Sequence, residues 1–163
     1  MKPPPLDPAE YIELAALYAD YAQAVDAGDW DRWTQFFVER ECLYEIQPRE
    51  NFERGLPLAT LRLSSHGMLR DRAYGVRETL FHDPYYQRHV VGLPRVQGVD
   101  GEGRIRAEAN YAVYRTKLGE PSTVFNVGRY LDTVMRDRGI LKFSVRRCIY
   151  DSELIPNALI YPI

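Results

Sequence analysis

Apolar residues recur at helical spacing near the start of the chain and at every second position over much of its second half. Tyr11, Leu14, Ala15, Tyr18, Tyr21, Ala22 and Val25 lie three or four apart, the spacing of one helix face. Asp7 is placed to cap that helix, with Pro8 in its first turn and Glu10 closing a capping box. Gly28 ends it. Asp29 then caps a second, short helix in which Trp30, Trp33, Phe36 and Phe37 face one way. The period shortens next. Residues 42–47 predict a strand closed by Pro48, residues 49–57 a loop, and Ala59, Leu61 and Leu63 a second strand. Met68, Leu69, Arg72, Val76 and Leu80 predict a helix over residues 67–81.

The remainder alternates as long strands. Residues 86–96 read as one, and Ile105, Ala107, Ala109, Tyr111 and Val113 share one face of the next. Residues 124–134 and 141–150 follow. The turn-like connections at residues 101–103, 119–121 and 137–139 make these strands antiparallel neighbours. No composition break or repeat divides the chain, so residues 1–163 form one domain. The predicted class is α+β, with helices covering the concave face of a curved antiparallel sheet. A cone of that kind either encloses a ligand pocket or is filled.

Composition narrows the partners. With 21 basic and 23 acidic residues the net charge is −2, which gives no electrostatic case for nucleic acid or an anionic membrane. No apolar run approaches the roughly 20 residues that span a bilayer. The opening Met1-Lys2-Pro3-Pro4-Pro5 lacks the hydrophobic stretch of a secretory signal, so a cytoplasmic protein is expected. Cys42 and Cys148, the two cysteines, sit in apolar strand contexts and are expected as buried free thiols.

Candidate chemistry is sparse. The three histidines are His66, His82 and His89. The segment Phe81-His82-Asp83-Pro84-Tyr85-Tyr86-Gln87-Arg88-His89 holds two histidines and a carboxylate, the donor types of a mononuclear iron site. Adjacent residues of an extended segment point to opposite faces, and an odd separation of seven diverges too, so a polar helix-to-strand corner is the better reading. Neither cysteine has the spacing of an iron–sulfur ligand set, and no glycine-rich nucleotide loop is present. An acid–base residue aimed into a cone would come from Tyr18, Asp20, Tyr21, Asp26, His66 or His89, although tyrosines at helical spacing are more often core. Arg88, Arg146 and Arg147 on strands suit either recognition or a solvated, salt-bridged surface. The last ten residues are mostly apolar, which requires a dock in the domain's own core or on another chain.

Several segments carry a family likeness. They are Tyr18-Ala19-Asp20-Tyr21 with Asp26-Ala27-Gly28-Asp29-Trp30, Gln47-Pro48-Arg49-Glu50-Asn51 continuing to Pro57, Met68-Leu69-Arg70-Asp71-Arg72, the segment from His82 to His89, and Cys148-Ile149-Tyr150-Asp151-Ser152-Glu153-Leu154-Ile155-Pro156-Asn157. In these the chain resembles the small (beta) subunit of Rieske-type aromatic-ring-hydroxylating oxygenases. The likeness is greatest to small subunits of the salicylate 5-hydroxylase type, with those of anthranilate and other benzoate-type oxygenases beside them. The resemblance implies a cystatin-like or nuclear-transport-factor-2-like cone and an α3β3 assembly with a large (alpha) subunit. That large subunit would hold the Rieske [2Fe-2S] cluster and the mononuclear Fe(II), with electrons arriving from NAD(P)H through a reductase and a ferredoxin. It implies no cofactor, metal or catalytic residue in this chain. Subunit contacts are expected at His82, Asp83, Tyr85, Arg88, Arg147, Tyr150, Leu154 and Ile155, and the tail is expected as a closing strand and arm. The alternatives are a stand-alone isomerase or dehydratase of the same fold and a small-ligand-binding module.

Overall fold

The computed structural model describes residues 6–154 and 159–163. Helix α1 (Pro8–Asp26) begins where the sequence places it: Asp7 Oδ1 accepts from the Ala9 amide at 2.8 Å. Glu10 does not complete a capping box but turns to Arg136 on a distant strand. The helix closes at Gly28, whose φ of +67° lies in the left-handed region that glycine tolerates. Asp29 then caps α2 (Trp30–Gln35) by accepting from the Arg32 amide.

One sheet dominates the molecule. Its strands are β1 (Leu43–Pro48), β2 (Leu61–Leu63), β3 (Tyr85–Val91), β4 (Arg95–Val99), β5 (Ile105–Lys117), β6 (Thr123–Asp137) and β7 (Ile140–Tyr150). The order is β2-β1-β7-β6-β5-β3, with β4 also paired to β5. Arg138 and Gly139, both at positive φ, make the two-residue turn that joins β6 to β7.

The α+β arrangement, with helices packed on a curved sheet, is as the sequence predicts. Four details differ. The sheet is mixed, because β1 runs parallel to β7, with Leu43 beside Val145 and Pro48 beside Tyr150. Nothing local in either strand signals that pairing. The strand predicted over residues 86–96 is two strands, broken at Gly92-Leu93-Pro94, since proline cannot donate to the ladder. The segment after Pro48 contains a short helix α3 (Arg49–Glu53). The helix predicted over residues 67–81 is α4 (His66–Tyr74), capped by Ser65 and continued by a π-helical turn at Gly75–Thr79.

The core lies between α1, α2, α4 and the sheet. Leu14, Tyr18, Tyr21 and Val25 of α1 meet Trp33, Phe37, Tyr44, Tyr130 and Phe143 in a set of mostly edge-to-face aromatic contacts. Strand β5 buries Ile105, Ala107, Ala109, Tyr111 and Val113, the face read from its alternation. Cys42 and Cys148 are both buried free thiols.

Strands β6 and β7 approach closely at Gly128, where an added Cβ would stand 2.0 Å from the Ile149 carbonyl oxygen. Backbone on both sides leaves no flexible atom to yield. Gly128→Ala is therefore expected to cost about 3 kcal/mol, read as a fall of roughly 6–12 °C in Tm.

Candidate functional site

Three of the polar groups amid the rings of the cone interior bear on function. The first is Arg146, a residue that recognition or a solvated surface could have claimed. Its side chain is 0% exposed and pairs with Asp132, its direct cross-strand neighbour, at 2.9 Å. The guanidinium carbon sits about 4 Å from the ring centres of Tyr21, Tyr130 and Phe143. Tyr18 donates its hydroxyl proton to the same carboxylate. Desolvation works against the guanidinium, yet Asp132 and the neighbouring tyrosines hold it above its ordinary value. Burial likewise raises the Asp132 carboxyl, against the pull of Arg146.

The second group pairs Asp26, at the end of α1, with His89 on β3. Asp26 accepts from His89 Nδ1 at 2.6 Å and from the His89 amide at 3.0 Å. Accepting that amide also covers an unpaired donor on an outer strand of the sheet. The other ring nitrogen of His89, Nε2, is buried and without a partner. The other acid–base candidates lie elsewhere. Asp20 is exposed beside Arg32, and His66 Nε2 lies 3.0 Å from the Thr34 carbonyl.

The third group answers where the tail docks. Residues 159–163 run into the cone, and Ile163 is 0% exposed. They form no strand, contrary to the sequence reading, and side chains hold them instead. Arg72 donates to the Leu159 and Ile160 carbonyls. Tyr85 accepts the Tyr161 amide, Gln87 donates to the Pro162 carbonyl, and the Tyr161 ring packs on Tyr85 and Trp30. At the end, the Ile163 oxygen receives Tyr21, Tyr44 and the Cys148 thiol, while Tyr44 accepts the Ile163 amide. Trp33 in turn donates to Tyr21 at 3.2 Å. Burial keeps Tyr21, Tyr44 and Cys148 protonated by pushing each group well up, so all three remain donors near neutrality.

The expected contact residues scatter. His82 Nε2 lies 2.7 Å from the Tyr161 hydroxyl, so His82 and Tyr85 are engaged by this chain's own tail. Asp83 pairs with Lys117, and that lysine holds its carboxyl below the usual range. Arg147, half exposed, pairs with the buried Glu45. Tyr150 is buried and bonded to Thr60, which leaves it little surface for a neighbour. Leu154 is 81% exposed, and Ile155 lies outside the described residues. Arg88 is exposed and pairs with Asp26 at the end of α1 at 3.6 Å, and beside it the outward side of the sheet carries Tyr86, Val90, Tyr114, Val124 and Val127. That apolar face was missed; the outward members of the same alternation, Tyr86 and Val90, were its signal.

His82, Asp83 and His89 do not converge, each having a different partner. Among the described residues no three His, Cys, Asp or Glu side chains are grouped to hold a metal ion. No described helix is long and apolar enough to cross a membrane.

Comparison with known proteins places this architecture. Residues 9–147 match the family model described as a SnoaL-like domain. The chain is 35% identical over 158 residues to the anthranilate 1,2-dioxygenase small subunit of Burkholderia cepacia, covering 96% of each chain. It is 30% identical to subunit beta 1 of the terephthalate 1,2-dioxygenase terminal oxygenase component of a Comamonas species, covering 93% of this chain and 97% of that one. The crystal structure of the beta subunit of a "putative aromatic-ring-hydroxylating dioxygenase" from Novosphingobium aromaticivorans superposes with a TM-score of 0.85 at 32% identity, over 96% of this chain and all of the other. The family model and these relatives agree: the chain belongs to the SnoaL-like small subunits of aromatic-ring-hydroxylating dioxygenases.

Proposed function

We propose that this chain is a non-catalytic, structural subunit of a terminal oxygenase that adds oxygen from O2 to an aromatic acid. The observation that carries the reading is the filled cone. Tyr21, Tyr44, Gln87 and Cys148 all donate to residues 162 and 163, so the chain's own tail stands at the place where a cone enzyme would bind its substrate. The partner is a large (alpha) subunit carrying the Rieske cluster and Fe(II), in an α3β3 hexamer of the cytoplasm. A reductase and a ferredoxin bring electrons to it from NAD(P)H. The substrate is of the salicylate or benzoate type: the relatives are named for anthranilate and terephthalate, both benzene carboxylates.

The outer sheet face supplies the contact. Tyr86 is 75% exposed and Val90 58%, next to Tyr114, Val124 and Val127, a cluster of apolar surface that an isolated monomer seldom leaves bare. The double substitution Tyr86→Asp, Val90→Asp tests it. Both positions are exposed, so the isolated chain should keep its Tm within a few degrees. Co-purification with the large subunit is expected to be lost. A complex that survives both substitutions would place the contact elsewhere.

A second reading, an acid–base enzyme of the same fold, draws on the Asp26 and His89 pair with its free Nε2. Turnover of a small carbonyl compound by the chain alone, lost in His89→Gln, would favour it.

A further inference from the structure

Residues 159–163 are recognised as a ligand is recognised. Each of the five has a polar anchor from a side chain outside the segment, drawn from α1, β1, α4, β3 and β7, and none belongs to a strand ladder. Three donors converge on the single Ile163 oxygen, more than the two lone pairs of a carbonyl ordinarily engage. Convergent donors in a dry cavity suit an oxygen bearing more charge than an amide. Arg146 stacks 4.0 Å from the ring centre of Tyr21, one of those donors, and puts a buried cation behind it.

The same region holds unspent hydrogen-bonding capacity. Among the described residues the buried side-chain atoms without a partner are Arg72 Nε, Gln87 Oε1, His89 Nε2, Tyr130 OH and Arg146 Nη1. Arg72 and Gln87 grip the tail, Arg146 and Tyr130 pack on Tyr21, and His89 shares the inward face of β3 with Gln87. A core assembled only for stability pairs such groups or replaces them with apolar ones. Two of the five atoms, Arg72 Nε and Gln87 Oε1, belong to side chains that hold the tail, so the segment is gripped by groups with hydrogen-bonding capacity to spare.

We propose that the cone interior is a binding site for small branched acyl compounds, an aliphatic group of up to about six carbons bearing a carboxyl or carbonyl oxygen, and that residues 159–163 occupy it as a tethered ligand. The branched Ile163 side chain takes the apolar part of the site, and Tyr21, Tyr44 and Cys148 take the oxygen.

The test is a variant lacking residues 159–163, titrated with 3-methylpentanoate and, separately, with the pentapeptide Leu-Ile-Tyr-Pro-Ile. Both are expected to bind at one per chain and to raise the variant's Tm, by about 5–10 °C at a hundredfold excess over Kd. Neither should shift the full chain, and a scrambled pentapeptide should shift neither protein. A variant too unstable to purify alone is refolded with and without the pentapeptide, and recovery only with it supports the site. In parallel, full-length Ile163→Gly keeps the main-chain anchors and vacates the side-chain space. Xenon is expected to enter it and to be excluded from the wild type. A shortened variant that binds neither probe, with no xenon uptake by Ile163→Gly, would show that the interior collapses as plain core and would overturn the proposal.

Discussion

Arg146→Ala will cost about 3–5 kcal/mol and lower Tm by roughly 6–20 °C, the largest effect expected of any single side chain here. The guanidinium is fully buried, so the substitution strands the Asp132 carboxylate without its cation and opens a void among Tyr18, Tyr21, Tyr130 and Phe143. Whole-domain stability is typically only 5–15 kcal/mol, so the variant will sit near its limit. Asp132→Ala will cost a similar amount for the complementary reason, a cation left without its carboxylate. The penalty comes from the surviving charge, so removing both should recover much of it. Arg146→Met with Asp132→Leu is expected to be more stable than either single alanine variant. Denaturant unfolding of the four proteins decides it: a double variant no better than the worse single one would mean that the pair acts through shape alone.

Alkali will unfold the domain abruptly. Burial raises Tyr18, Tyr21, Tyr44, Tyr111 and Tyr130 above the ordinary phenol value, and it raises the Cys148 thiol as well. A group whose folded value is raised gives stability that is whole below its unfolded value and is lost as pH climbs toward the folded one. For these groups the loss begins near pH 9 with the thiol and near pH 10 with the phenols. Each fully mismatched group removes about 1.4 kcal/mol per pH unit, so five tyrosines together remove about 7. A domain of ordinary stability therefore collapses within one to two units above pH 10. Absorbance at 295 nm, followed with near-ultraviolet circular dichroism, should show tyrosinate appearing in one step as the tertiary signal disappears. Gradual tyrosinate formation with the dichroism intact would contradict the burial of these hydroxyls.

Much of the fold was legible because its signals are local. Asp7 and Asp29 cap helices, Gly28 turns the chain, and the alternation of β5 names its buried face. The parallel pairing of β1 with β7 was not legible, since about a hundred residues separate the partners and neither strand's pattern depends on which neighbour it takes. Arg146 misled for a chemical reason: arginine is mostly exposed, and only its cross-strand partner reveals the exception. Asp132, a carboxylate between Tyr130 and Val134 on the inward face of β6, was the available clue. The tail's apolar composition correctly demanded a dock. That His82 and Tyr85 would hold it, rather than a neighbouring subunit, depended on contacts across 75 or more residues.

The central claim is that this chain builds an oxygenase without performing its chemistry. Co-expression with a Rieske-type large subunit, followed by mass determination, iron analysis and a hydroxylation assay of each part and of the whole, tests it most directly. The account predicts one complex several times the chain's mass, hydroxylation of an aromatic acid by that complex, and all of the iron in the large subunit. Stoichiometric iron in this chain alone, hydroxylation by it alone, or failure of the two subunits to associate would contradict it.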